Sequence, residues 1–144
     1  MHLIIDGYGG DPQKLADEQL VRALLEQSPS EMGMVKIAPS YVCRYQGSEP
    51  PDWGVSGFVL IAESHISVHT FPERGILWAD IFSCKPFDVE RLVHRMRKTF
   101  ALRETNLCLL ERGLEYREMA ASATVRADAA AGGRAGRAGR RDPS

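Results

Sequence analysis

The sequence is poor in the features that would let a short chain dispense with a core. Among 144 residues there are three cysteines, Cys43, Cys84 and Cys108. The number is odd and no two have CxxC spacing, which argues against a disulfide framework or a structural zinc site and fits a reducing cytosol. Apolar runs are short: "FVLIA" is among the longest and falls far below a membrane span. The start, "MHLIIDGYGG", lacks the basic and long apolar regions of a signal peptide. A soluble, cytoplasmic protein is expected, without a membrane partner. Net positive charge is confined to the last twenty residues. From Val125 onward the chain carries five arginines and two aspartates, which leaves about −4 on the rest. That excludes nucleic-acid binding through a basic face of the body.

What is present fits one globular domain. Hydrophobic residues make up 44% and charged residues 26%, enough to build a core. "HLIIDGYG" reads as a strand. "DPQKLADEQLVRALLEQS" reads as one helix, with Asp11 as cap, Pro12 in the first turn and an apolar stripe of Leu20, Val21, Leu24 and Leu25. "MVKIAPSYVCRYQ" reads as a strand bent at Pro39, and "GSEPPDWG" as a loop. Three strands follow: "VSGFVLIAE", "HISVHTF" and "ILWADIFSC", the last after a Pro-Glu-Arg-Gly turn. "FDVERLVHRMRKTFAL" is an amphipathic helix capped by Asp88, with Phe87 placed to staple against Leu92, and "ETNLCLLERGLEY" is a final strand. Residues 1–119 are expected to form the domain. Residues 120–144, rich in Ala, Gly and Arg, lack bulky apolar side chains and are expected to be disordered.

The order β-α-β-β-β-β-α-β with short turns predicts an α+β, two-layer sandwich: an antiparallel sheet with helices on one face. Its other face must meet water, a ligand or another subunit.

The stretch "AESHISVHTFPE", residues 62–73, is the unusual one. Strand alternation puts Ile66 and Val68 under the helices and His65, Ser67 and His69 on the open face. Two histidines four apart suggest zinc, but on a strand they stand about 13 Å apart, so no metal is expected. A polar sheet face with satisfied histidines is the plain alternative. A Ser-His hydrolase would want a G-x-S-x-G elbow, which is missing. A further possibility uses the Glu63–Ser64 bond itself. A serine hydroxyl can attack the preceding carbonyl, and β-elimination from the resulting ester leads to a pyruvoyl group. That ketone can form a Schiff base with a substrate amine and act as an electron sink. A basic residue and a second hydroxyl nearby would assist.

"GVSGFVLIAESHISVHTFPERGILWADIFSC" resembles the core of the prokaryotic S-adenosylmethionine decarboxylase proenzymes, and the likeness extends over roughly residues 2 to 117. The ordered set GVSG, ESH, SVHT, aromatic-Pro-Glu and Asp-x-Phe-x-Cys is specific where no single element is. The resemblance implies cleavage between Glu63 and Ser64, giving a β chain of 1–63 and an α chain of 64–144 with Ser64 converted to the pyruvoyl cofactor. It implies that Ser56 and His69 assist processing, that Cys84 protonates the substrate α-carbon, and that Glu73 holds the ribose hydroxyls. It also implies an (αβ)₂ homodimer formed through the sheets, and a product that donates aminopropyl groups for spermidine synthesis. Tyr45 is the best match to the aromatic that stacks on adenine, although the loop after it is longer than usual. Other departures are Phe71 where the family usually has Trp, Lys85 where it usually has Gly, and Asp6 where a nearby glutamate is usual. Since these surround the substrate pocket, arginine or ornithine remains an alternative substrate. A homologue that only binds a ligand or partner is the alternative from outside catalysis.

Overall fold

The computed structural model describes residues 1–48, 52–113 and 115. Met1–Arg112 forms one compact unit. The tail expected to be disordered, 120–144, lies outside the described residues.

Strand β1 (His2–Tyr8) buries Leu3, Ile5 and Gly7 in strict alternation. Two helices follow where the sequence predicts one. Helix α1 (Pro12–Leu15) is capped by Asp11, whose Oδ1 accepts from the Gln13 and Lys14 amides at 2.9 and 3.1 Å. Helix α2 (Glu18–Glu31) starts afresh because Asp17 makes the same pair of bonds to Gln19 and Leu20, also at 2.9 and 3.1 Å. A carboxylate that captures backbone amides ends one helix and starts the next. The predicted strand over 34–46 is also shortened. Strand β2 is Tyr41–Gln46, and the segment before Pro39 makes only an isolated bridge, Lys36 to Ile61.

Strand β3 (Trp53–Ile61) opens two residues earlier than the sequence suggests, β4 covers Ser64–Phe71 and β5 covers Ile76–Ser83. A 3₁₀ turn at Pro72–Arg74, closed by Gly75 at φ 63°, joins the last two. Helix α3 (Val89–Phe100) is capped by Asp88 and buries Leu92, Val93, Met96 and Phe100. Phe87 packs against the core, and β6 (Glu104–Leu110) completes the chain's described elements.

The six strands form one antiparallel sheet in the order β2-β3-β4-β5-β1-β6. Helix α2 lies on β2, β3 and β4, and α3 on β1. Between the layers, Val55, Val59, Ile66, Val68, Leu77 and Ile81 of the sheet meet Leu24, Leu25, Met96 and Phe100 of the helices. Each such side chain contributes about 1.5–3 kcal/mol on burial. The α+β two-layer architecture is as expected. Gly57 allows the close approach of α2: a Cβ there would stand 2.5 Å from a Leu25 methyl carbon. Among the described residues no helix is long and apolar enough to cross a membrane.

Among the described residues the other sheet face carries no helix. Its cross-strand rows follow from the register. One row is Leu60, His65, Phe82, His2 and Leu110; the next is Tyr41, Phe58, Ser67, Asp80, Ile4 and Cys108; the third is Cys43, Ser56, His69, Trp78, Asp6 and Asn106. Tyr41, Tyr45, Phe58, Leu60 and Trp78 are exposed there, a concentration of apolar side chains that marks an interaction surface.

Candidate active site

The Glu63–Ser64 bond sits at the tip of the β3–β4 hairpin, where Ile61 pairs with Ser64 across the turn residues Ala62 and Glu63. Ser64 shares the parity of Ile66 and Val68, so regular pleating would turn it under the helices. Its φ of 151° breaks the pleat. That region is rarely adopted by a residue with a Cβ and stores strain of order 1–3 kcal/mol. The strain falls on the residue expected to react.

The surrounding groups fix Glu63 on both its backbone and its side chain. Its carbonyl accepts from the Cys84 backbone N–H at 3.1 Å. Its buried carboxylate accepts from Lys85 Nζ at 2.7 Å and from the Val35 amide at 3.1 Å. The Lys85 ammonium, and then the Val35 N–H, hold this carboxyl below the usual carboxylate range against the opposing effect of burial. The β5 register explains the meeting: Ser64 pairs with Ser83, so residues 84 and 85 emerge beside residue 63. Ser83 Oγ stabilises the exit by donating to the Lys85 carbonyl at 2.8 Å and accepting from the Lys85 amide at 3.0 Å. Lys85 thus directs a charge at Glu63.

Ser64 Oγ lies 3.1 Å from His65 Nδ1. The His65 ring stacks on Phe58 with centroids 5.4 Å apart and meets Phe82 edge-on at 6.1 Å. Burial, followed by the neighbouring His2 and Arg112 side chains, pushes the imidazole below its ordinary range, with Asp80 opposing. Sequence reasoning assigned His65 only to the open face. Its adjacency to Ser64 was available; the aromatic bracket needed the register.

Ser56 and His69 form a cross-strand pair, with Ser56 Oγ 2.9 Å from His69 Nδ1. They line a hollow of about 130 Å³ with Tyr41, Cys43, Phe58 and Ser67. His69 lies five positions along β4 from Ser64, roughly 16 Å. One chain therefore brings Glu63, Ser64, His65, Cys84 and Lys85 together at one end of the hairpin, and Ser56 with His69 toward the other.

Glu73, on the 3₁₀ turn, accepts a hydrogen bond from Trp53 Nε1 at 3.2 Å. The Arg44 guanidinium lies 4.0 Å from the centroid of the same indole. Tyr45 is exposed on β2, opposite Gly54. Placing Trp53 in a loop hid its position beside Glu73. Among the described residues no three His, Cys, Asp or Glu side chains gather as a metal site would require.

A family profile described as S-adenosylmethionine decarboxylase matches residues 1–113. The S-adenosylmethionine decarboxylase proenzyme of Pyrococcus furiosus is 30% identical over 125 residues, 86% of each chain. That of Archaeoglobus fulgidus is 37% identical over 83 residues, 58% of this chain and 69% of its own. The crystal structure of the adenosylmethionine decarboxylase from Aquifex aeolicus superimposes with a TM-score of 0.65 at 30% identity, covering 78% of this chain and 88% of that one. The chain belongs to the S-adenosylmethionine decarboxylase family.

Proposed function

We propose that this chain is a cytoplasmic proenzyme that cuts itself between Glu63 and Ser64 and then decarboxylates S-adenosylmethionine, yielding the aminopropyl donor of spermidine synthesis. The observation that carries this reading is the hairpin tip: Ser64 at φ 151° beside a carbonyl that already accepts the Cys84 N–H at 3.1 Å. A tetrahedral centre at that carbonyl would place its oxyanion on a donor already in position. Cleavage would leave the α chain starting at residue 64, with the pyruvoyl ketone supplying an electron sink when CO₂ departs. The residues at the tip fit such a group. The Cys84 backbone is fixed beside the position it would occupy, and the thiol of the same residue would return a proton to the substrate α-carbon.

Glu73 would hold the ribose hydroxyls and Tyr45 would offer a face to adenine. The Trp53–Glu73 hydrogen bond favours this substrate over arginine or ornithine, because an aromatic beside a carboxylate acceptor suits a nucleoside. The separation of Ser56 and His69 from Ser64 supports a homodimer of cleaved protomers, (αβ)₂, in which the open sheet face of one copy brings its Ser56–His69 pair to the Ser64 of the other.

The test is the intact mass of the purified protein under denaturing conditions, followed by release of CO₂ from carboxyl-labelled substrate. Two fragments divided at Glu63/Ser64, the larger blocked by a ketone, with release from S-adenosylmethionine alone, are expected. An uncut chain would overturn the proenzyme reading. Release from arginine or ornithine instead would overturn the substrate.

A further inference from the structure

We propose that His65 is the base that takes the hydroxyl proton of Ser64 as this oxygen attacks the Glu63 carbonyl, the first chemical step of self-cleavage. The proposal deepens the proenzyme reading above and rests on it. His65 Nδ1 is 3.1 Å from Ser64 Oγ, within reach for direct proton transfer. His69 is roughly 16 Å away along the same strand, so within this chain His65 is the histidine that touches the nucleophile.

The surroundings suit a proton acceptor. Phe58 and Phe82 bracket the ring and limit its rotation. The ionisable groups facing it are His2, Asp80 and Arg112. Asp80 Oδ1 is 3.1 Å from His2 Nε2, and Arg112 Nη1 is 3.1 Å from His2 Nδ1. Arg112 also lies over the outer ring Phe82, 4.4 Å from its centroid. The carboxylate that acts on His65, Asp80, is thus bonded to His2, and among the described residues no carboxylate hydrogen bond fixes His65 as an imidazolium. Desolvation, and then the neighbouring His2 and Arg112, lower the pKa of the imidazole and favour its neutral, proton-accepting form.

The step balances within the chain. The Ser64 Oγ–H proton moves to Nδ1 while Oγ forms a bond to the Glu63 carbonyl carbon. The carbonyl electron pair moves onto its oxygen, which accepts the Cys84 N–H. The C–N bond then breaks, and the departing Ser64 nitrogen takes the proton from the imidazolium. The product is an ester of Glu63 on Ser64 with a free amine, and His65 returns to its starting state. Breaking the C–N bond also releases the constraint that holds Ser64 at φ 151°.

The test follows cleavage of the full-length chain made by cell-free synthesis, using intact mass, for wild type and His65→Gln. The variant keeps a polar side chain but cannot act as the base. Its cleavage is expected to slow by at least about 100-fold. Its uncut chain should resist hydroxylamine, which splits an ester but leaves an amide. Cleavage at the wild-type rate would overturn the proposal, as would splitting by hydroxylamine at Glu63/Ser64, which would place His65 after ester formation. If the variant does not fold, the wild-type pH profile decides. Because the His65 pKa is lowered, its base form persists to below pH 6.5 and the rate should fall only beneath that point. A rate with no acid limb at any pH at which the chain stays folded would refute the assignment. A wild-type chain that is never cut would instead sink the proenzyme reading itself.

Discussion

The β3–β4 hairpin holds two serine–histidine pairs, and they are built differently. At the tip, Ser64 and His65 are neighbours in sequence, 3.1 Å apart, on a backbone forced to φ 151° and beneath two phenylalanine rings. Further along, Ser56 and His69 face each other across regular strands, 2.9 Å apart and exposed. Both pairs have the same atoms in contact. Only the first has a strained peptide beside it and a carbonyl with a donor already in place. The difference supports the proposed cleavage at the tip and suits the second pair to the proposed role of assisting a centre on another copy.

The most severe way to break the comparison is Ser64→Ala. Removing the hydroxyl leaves the Ser56–His69 pair intact, and cleavage at Glu63 is expected to vanish altogether. Any fragment pair of the expected masses would show that the tip is not the reacting end.

Cys84→Ala separates the two uses of one residue. Its backbone N–H still donates to the Glu63 carbonyl, so cleavage should proceed near the wild-type rate. Decarboxylation would lose the proton donor proposed above and should drop about 10²-fold or more. Equal activity in the steady-state CO₂ assay would remove the thiol from the mechanism.

Co-expression sharpens the comparison further. Ser64→Ala and His69→Ala chains, each defective alone, should form mixed dimers in which the intact Ser64 of one faces the intact His69 of the other. Cleavage of the His69→Ala chain should then reappear in the mixed dimers, about half of all dimers at 1:1 expression, so about half of the His69→Ala chains should be cut. No recovery would mean that the Ser56–His69 pair does not serve a neighbouring copy.

Much of this arrangement was legible in the sequence, for physical reasons. A strand leaves no freedom in side-chain parity, so Ile66 and Val68 inside and His65, Ser67 and His69 outside followed directly. The two-layer fold followed from element order. The cap at Asp17 is missed because the apolar stripe, Leu20 to Leu25, lies wholly within the second helix and does not mark the break, although Asp17 captures backbone amides as well as Asp11 does. Residues 34–38 read as strand because Val35 and Ile37 are β-branched, yet both are exposed and the segment makes a single bridge. The site was legible as a set of residues but not as two groups. The Glu63–Lys85 pair and the His65 bracket both depend on the β4–β5 register, in which Ser64 meets Ser83 and His65 meets Phe82. The φ of Ser64 has no sequence signal at all: its parity points to the core.

Lys85→Met offers a milder perturbation of the tip. It removes the cation from a Glu63 carboxylate whose side chain is 3% exposed, while Lys85 itself is 59% exposed. Breaking a buried pair costs about 3–5 kcal/mol, but an exposed partner screens much of that. A loss near 1.4 kcal/mol, if it falls on positioning of the carbonyl, corresponds to about tenfold slower cleavage. Lys85→Arg should restore most of the rate. Equal rates for Met and wild type would reduce the ion pair to a surface contact. Acid gives the same perturbation without mutation. The Glu63 pKa is lowered in the folded chain, so its contribution to stability is complete above the ordinary carboxylate range and is lost as pH falls through the lowered value. Lys85→Met should therefore lower Tm at pH 7, and the gap to wild type should close as the carboxylate protonates. A gap independent of pH would show that the methionine disturbs packing and that charge at Glu63 contributes nothing.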